Sequence, residues 1–214
     1  MKLSYLVIGL GLASLASGCA YNVQPVSTKA INIYSSYESK VPGRFAVVLD
    51  DSIRNVNREV KPVSHVCSAH TYPISLGDSI AVSVKHTLDS VFEQTVEQSS
   101  MPSSEAMTRL GLRGVVLVKM DDFSPRLSCS MGFWSGTCSG STDISFGVNI
   151  RGINGTLLAT SVSGSKTFDG DSGGGCGGGA NVLSESITRA TRDALERLAE
   201  RISNSSRLRP NDGR

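Results

Sequence analysis

Net charge, aromatic side chains and long apolar runs are all scarce in this 214-residue chain. Lysine and arginine number 21 against 19 aspartates and glutamates, a formal net charge of +2. That balance provides no electrostatic footprint for nucleic acid, which needs concentrated positive charge to displace counterions. Past residue 19, no stretch is long and charge-free enough to span a bilayer, which takes about 20 consecutive apolar residues. Complete catalytic and ligand-binding signatures are also missing. The Gly-rich stretch 169–181, DGDSGGGCGGGAN, is not followed by Gly-Lys-Ser/Thr and does not sit in a full βαβ unit with a distant acid, so nucleotide binding is not expected. Asp169 and Asp171 resemble the start of a calcium loop, but Ala180 occupies the position that needs glutamate. Ser163-Gly164-Ser165-Lys166 spells SxxK, yet it falls in an expected strand without companion motifs, whereas that chemistry needs the serine at a helix start. His65, His70 and His86 have no triad-like Ser or Cys partner, and Asp121-Asp122 reads as a strand-end pair facing water. No enzyme activity and no cofactor are expected.

The N-terminus carries the most specific signal. It reads MKLSYLVIGLGLASLASGC: Lys2, an apolar run too short to span, then small residues up to Cys19. This is the grammar of a secretory signal peptide. Ala16-Ser17-Gly18-Cys19 resembles the lipobox of bacterial lipoprotein precursors, with alanine where leucine is commonest. The resemblance implies cleavage before Cys19 and diacylglycerol on its sulfur, a membrane-anchored product. Ala20 and Tyr21, rather than aspartate, follow the cysteine, which by resemblance to lipoprotein sorting points to the outer membrane. The expected partners are the membrane, through the anchor, and envelope proteins or a second copy.

Four cysteines remain, an even number for an oxidising compartment, with three possible connectivities. Cys129 and Cys138 bracket SMGFWSGT between two strand-like runs and suit a bridge across a hairpin end. That leaves Cys67 with Cys176, both in loops upstream of expected helices. A metal site at His65, Cys67 and His70 is the alternative, although HxCxxH is not a standard zinc spacing. Phe133 and Trp134, at the expected hairpin tip, are either folded back over the sheet or used as contact residues, because exposed aromatics have a solubility cost.

Residues 1–18 are read as signal peptide, 19–43 as lipidated N-terminus and flexible tether, 44–203 as one domain and 204–214 as a polar tail. Within the domain, residues 44–53 (RFAVVLDDSI) read as a strand, and 55–76 as loop with a possible strand at 59–65. The apolar spacing over 78–98 predicts a helix capped by Asp78. Residues 114–123 and 141–151 predict strands, and Asn154-Gly155 a tight turn into a third at 157–168. Residues 181–202 carry a second helical stripe, with Glu185–Arg189 and Asp193–Arg197 four apart on the wet face. The expected class is α+β: a two-layer sandwich, its sheet mixed or antiparallel, with two helices on one face in the order β-α-β-β-β-α. This layout resembles the α/β domain of the TolB amino-terminal family, the curli-secretion lipoprotein family and a penicillin-binding-protein activator family. The resemblance implies a non-catalytic accessory or scaffold role in envelope assembly, secretion or polymer handling. A periplasmic hydrolase or ligand-binding protein and a surface lipoprotein meeting host or phage are the alternatives.

Overall fold

The computed structural model describes residues 20–28, 32–132 and 135–209. Its centre is a mixed five-stranded sheet. Strand β1 (Val41–Leu49) lies parallel between β4 (Phe92–Glu97) and β5 (Gly114–Met131), and β6 (Gly136–Gly152) and β7 (Gly155–Asp171) continue antiparallel, giving the order β4-β1-β5-β6-β7. Two long helices, α2 (Gly77–Val91) and α4 (Gly178–Ser203), bury their stripes against a core that includes Phe45, Val47, Val116, Val118, Ile144, Phe146 and Val148. The expected α+β class with a mixed sheet is the class observed. Alternate residues of β1 and β5, Ala46, Val48 and Val115, form a small second cluster with Met107 of α3 (Ser104–Arg109) and Leu112. β1 therefore carries apolar residues on both faces and reads as a continuous run, as expected for a central parallel strand.

Four differences from the sequence reading have physical causes. Strand β1 ends at Leu49 rather than Ile53, because the Asp50 carboxylate accepts from Ser52 N at 2.9 Å and starts a helical turn, α1 (Asp51–Arg54). The helix expected over 78–98 stops at Val91; Phe92 turns extended (φ −93°, ψ 148°), packs its ring 4.5 Å from that of Phe45, and opens β4. Asp78 does not cap α2, whose N-cap position is Leu76 without a side-chain bond. The loop-like region 55–76 contains a two-stranded sheet, β2 (Asn57–Val60) against β3 (Tyr72–Ser75), with Pro73 opposite Glu59.

The antiparallel strands also run past their expected ends. β5 continues to Met131 through a bulge between Met120 and Asp122, so Asp121 and Asp122 lie within a strand rather than at its end. Under α4 the inward positions are small. A Cβ on Gly164 would sit 2.0 Å from the Ala190 carbonyl oxygen, and one on Gly140 would sit 2.9 Å from Val182. Both expected ion pairs form on the outer face of α4, Arg189–Glu185 at 3.2 Å and Arg197–Asp193 at 3.3 Å. Each contributes only a few tenths of a kcal/mol, about 0.3–0.5.

Residues 20–28, expected within the tether, are docked against the body. Tyr21 N donates to Thr71 O and Val23 N to Pro73 O, which lays residues 20–23 alongside β3 in parallel. Val23 and Thr28 are buried, and Thr28 N donates to Ser83 Oγ of α2 while Ser184 Oγ of α4 donates to Gln24 O. Residues 208 and 209 are likewise fastened: Leu208 is buried, and the Arg209 guanidinium stacks over Tyr37 and donates to Ser39 O.

Candidate functional site

The four described cysteines meet at one end of the sheet. Cys129 and Cys138 face each other across β5 and β6 and are bonded, with their Cα atoms 4.0 Å apart. Cys67 and Cys176 are bonded with Cα atoms 5.8 Å apart, joining the loop before β3 to the Gly-rich turn before α4. The sulfurs of Cys67, Cys129 and Cys138 all lie within 4.8 Å of one another. Since all three are in disulfides, this cluster is a stack of two bridges and offers no thiolate to a metal. Cys67 and Cys176 have left-handed backbones, φ 63° and 73°.

Two tyrosines bind the Gly-rich turn. The Tyr72 hydroxyl donates to Cys176 O at 2.8 Å and that of Tyr21 donates to Gly175 O, while the two rings stack 5.8 Å apart. Burial, then the neighbouring Tyr21, pushes the Tyr72 phenol above its ordinary pKa, so it remains a hydrogen-bond donor. The turn after β7 is thus held by a disulfide, two phenols and Asp171, whose Oδ1 accepts from Gly173 N at 2.6 Å. The N-terminus of α4 has no side-chain cap.

A second polar constellation lies on the sheet face away from α4. Lys119 Nζ and Asp121 Oδ1 are 2.8 Å apart, and Ser161 Oγ donates to Asp121 Oδ2 at 3.3 Å. Asp121, by hydrogen bond and by charge, holds the Lys119 ammonium above its ordinary pKa. Gly147 leaves room for this pair, since a Cβ there would meet Asp121 Oδ2 and Lys119 Cε at 2.7 Å. The hollow around them, about 280 Å³, is also lined by Asn149, whose buried Oδ1 accepts from no described donor. From here to the disulfide end this face presents polar side chains, all short except Arg126: Asp122, Ser124, Arg126 and Ser128 on β5 oppose Ser145, Asp143, Ser141 and Ser139 on β6. On β7 it continues with Ser161, Ser163, Ser165, Thr167 and Asp169, all exposed.

The remaining singled-out residues come apart in space. Lys166 reaches Asp193 on α4 at 3.7 Å, so it lies on the face opposite Ser163, and the SxxK residues do not converge. His86 is exposed on α2. His70 packs 5.3 Å from the Tyr21 ring, and His65 is exposed in the loop that leads to Cys67. Cys19, Phe133 and Trp134 lie outside the described residues. No described helix is long and apolar enough to cross a membrane.

No protein-family model and no curated protein matches the chain. Among solved structures, it is similar to a protein from Xanthomonas campestris at 9% identity and a TM-score of 0.44, over 85% of this chain and 94% of that one. It is similar to a hypothetical protein from Chlamydia trachomatis at 13% identity and a TM-score of 0.40, over 77% and 98%. A minor lipoprotein from Acinetobacter baumannii gives 10% identity and a TM-score of 0.33, over 75% and 87%. At these scores the likenesses carry no inference about residues, ligands or partners.

Proposed function

We propose that the chain is an envelope lipoprotein, cleaved before Cys19, lipidated there and held at the outer membrane, which acts without catalysis as an accessory or scaffold through protein contacts. The observation that carries the contact role is strand β7. It spans 17 residues at the edge of the sheet, and among the described residues only β6 pairs with it. A long open edge presents unpaired amides and carbonyls to another chain. The adjoining face of β7 carries only the short side chains of Ser161, Ser163, Ser165, Thr167 and Asp169, so a partner can approach the edge closely. The anchor reading rests on the lipobox-like residues 16–19.

Two experiments test the two halves separately. Cys19→Ala should leave the chain unprocessed and without lipid, and normal palmitate labelling of that variant refutes the anchor. A photo-crosslinking side chain at Ser163, Ser165 or Thr167 should trap a defined envelope protein or a second copy in intact cells. Adducts at none of the three refute the edge as the contact. A second reading, binding of a small polar ligand, is favoured by Asn149 Oδ1 in the Lys119–Asp121 hollow, where a ligand donor would satisfy a buried acceptor.

A further inference from the structure

Residues 20–28, 62–77, 127–142 and 172–184 contain no Asp, Glu, Lys or Arg, although charged residues make up 19% of the chain. Stretches of that combined length would ordinarily hold several. The fold brings all four to the same end. Cys67 is bonded to Cys176 and stacked on Cys129–Cys138; Tyr21 reaches Gly175; Ser172 N donates to Gly136 O; Val63 N donates to Leu127 O. Two large apolar side chains stand out there, Val63 at 77% and Met131 at 72% exposure. The charges that border it are Asp171, with its Oδ1 engaged by Gly173 N, Asp169 opposite Ser139, Arg126 opposite Ser141, Lys61, and Arg58 and Glu59 opposite Ile74 and Pro73. The opposite end of the long strands carries arginines: Arg113 donates to Pro42 O, Arg44 donates to Leu110 O, and Arg151 lies opposite Val115.

The position of the anchor gives this pattern a meaning. Ala20 bridges to Thr71 at this end, and Cys19 is its covalent neighbour in the sequence. We infer that this end is a membrane-contacting surface, which rests on the interfacial zone of a bilayer with Val63, Met131 and the loops around them. The inference rests on the anchor reading of Cys19. Formal charges lose hydration on entering the interface, whereas backbone, hydroxyl and apolar groups enter at little cost. A lipid on Cys19, one peptide bond from Ala20, holds this end against the surface. The seventeen-residue strands then stand away from the membrane, with the turn at Ile153 roughly 50 Å out. Because the surface lacks charge, its contact depends on apolar and hydrogen-bonding groups and is insensitive to salt and to anionic lipid.

The chain's one tryptophan, Trp134, falls in sequence between Gly132 and Ser135 and serves as the reporter. The processed protein is reconstituted into phosphatidylethanolamine/phosphatidylglycerol vesicles that contain a lipid with brominated acyl chains, and its mass is measured. The expected result is a diacylglyceryl mass on Cys19 together with at least twofold quenching of Trp134, unchanged by 0.5 M salt. A far-end reporter, Trp134→Phe with Ile153→Trp, should be unquenched. Val63→Asp/Met131→Asp, at exposed positions, should lower the quenching of Trp134 without lowering the Tm. Lipidated protein with unquenched Trp134 overturns the membrane contact and leaves the anchor standing. Absence of the lipid mass overturns the anchor and the contact with it. An unquenched tryptophan with crosslinked dimers through residue 131 assigns the end to a second copy and also overturns the proposal.

Discussion

Removing the two disulfides one at a time should destabilise the protein unequally, by amounts that follow from where each sits in the chain. Cys67–Cys176 has a sequence separation of 109 and Cys129–Cys138 one of 9. In the loop-entropy treatment, a cross-link stabilises in proportion to the logarithm of the loop it closes, which gives about 4.8 kcal/mol for the long loop and about 2.7 for the short one. For a chain of this size each kcal/mol moves the Tm by roughly 2–4 °C. Cys67→Ala/Cys176→Ala should therefore lower the Tm by roughly 10–20 °C, and Cys129→Ala/Cys138→Ala by roughly 5–10 °C. The local structure points the same way, since the hairpin ladder around Cys129 and Cys138 persists without the bond, whereas the loops at Cys67 and Cys176 are joined by it. The backbone adds a sharper test. Both Cys67 and Cys176 have positive φ, which costs a residue with a Cβ about 1–2 kcal/mol and glycine almost nothing. The glycine pair at 67 and 176 should thus melt several degrees above the alanine pair, against glycine's usual disadvantage from unfolded-state entropy. Scanning calorimetry of the processed protein without reductant measures all three. If the 129/138 alanine pair is the less stable, loop closure does not govern. If alanine outlasts glycine at 67 and 176, the left-handed backbone is imposed by the bond and relaxes without it.

Gly164→Ala would place a Cβ 2.0 Å from the Ala190 oxygen and 2.8 Å from the Ala194 nitrogen, both backbone atoms of α4 that cannot rotate away. Denaturant unfolding should show a loss at the upper end of overpacking costs, about 3 kcal/mol, and a loss under 1 kcal/mol would mean α4 does not approach β7 this closely. Thr142 Oγ1 and Ser186 Oγ are 2.8 Å apart and buried, and Ser186 Oγ also donates to Leu183 O, which makes Thr142 the donor between them. Ser186→Ala should cost more than Thr142→Val, about 1–3 kcal/mol for the orphaned donor, and the double variant should recover most of it; strictly additive losses in a double-mutant cycle would refute the assignment. Hydrogen bonds from Ser52 hold the Asp50 carboxyl below its ordinary value of 3.8, with burial opposing and Lys119 adding to the shift. A depressed folded pKa contributes stability that is present above 3.8 and is lost as pH falls through the folded value. Asp50→Asn, which still caps, should flatten the stability curve below pH 4, and an unchanged curve would show that ionisation of Asp50 contributes nothing to stability.

The parts of the fold that were legible in the sequence are those with a period and a single buried face. Helix α4 and the core half of β6 met both conditions. Strand β4 did not, because Phe92 and Val96 extend the helical spacing of Val84 and Leu88; only the ring of Phe45, brought in from β1, decides that the chain straightens at residue 92. Residues 124–131 of β5, 136–140 of β6 and 169–171 of β7 were missed for a related reason. In β6 the inward Cys138 and Gly140 and the outward Thr137 and Ser139 are all small, so neither size nor polarity alternates and the stretch resembles a loop. Prolines hid β3: Pro73 lies within a strand of a two-stranded sheet, where one lost donor is tolerated. Pairing of the cysteines was easier to frame, since two of them flank a short hairpin and only one pair then remains. The polar face around Lys119, Asp121 and Asn149 has no sequence signature, because it depends on a bulge at Asp121 and on Gly147 opposite Lys119 on the neighbouring strand.

The docking of residues 20–23 was beyond sequence reasoning, because two backbone bonds to β3 leave no periodic trace, yet it determines how a lipid on Cys19 would hold the body. Tyr21 is the hinge of that arrangement. Its amide donates to Thr71, its hydroxyl to Gly175, and its ring packs on Tyr72 and His70. Tyr21→Ala removes one hydrogen bond and one aromatic stack, each worth about 0.5–1.5 kcal/mol, so about 1–3 kcal/mol of local docking is lost. The sheet, both disulfides and the α2 and α4 stripes do not depend on that ring. Exchange of the Tyr21-site and Val23 amides should therefore accelerate roughly tenfold or more in hydrogen–deuterium exchange, while amides of β6 keep their protection. In vesicles the same variant should keep its lipid but lose the fixed orientation, so that quenching of Trp134 becomes weaker and more heterogeneous. Unchanged exchange at residue 23 would show that Val23, buried and bonded to Pro73, suffices to seat the segment without the tyrosine.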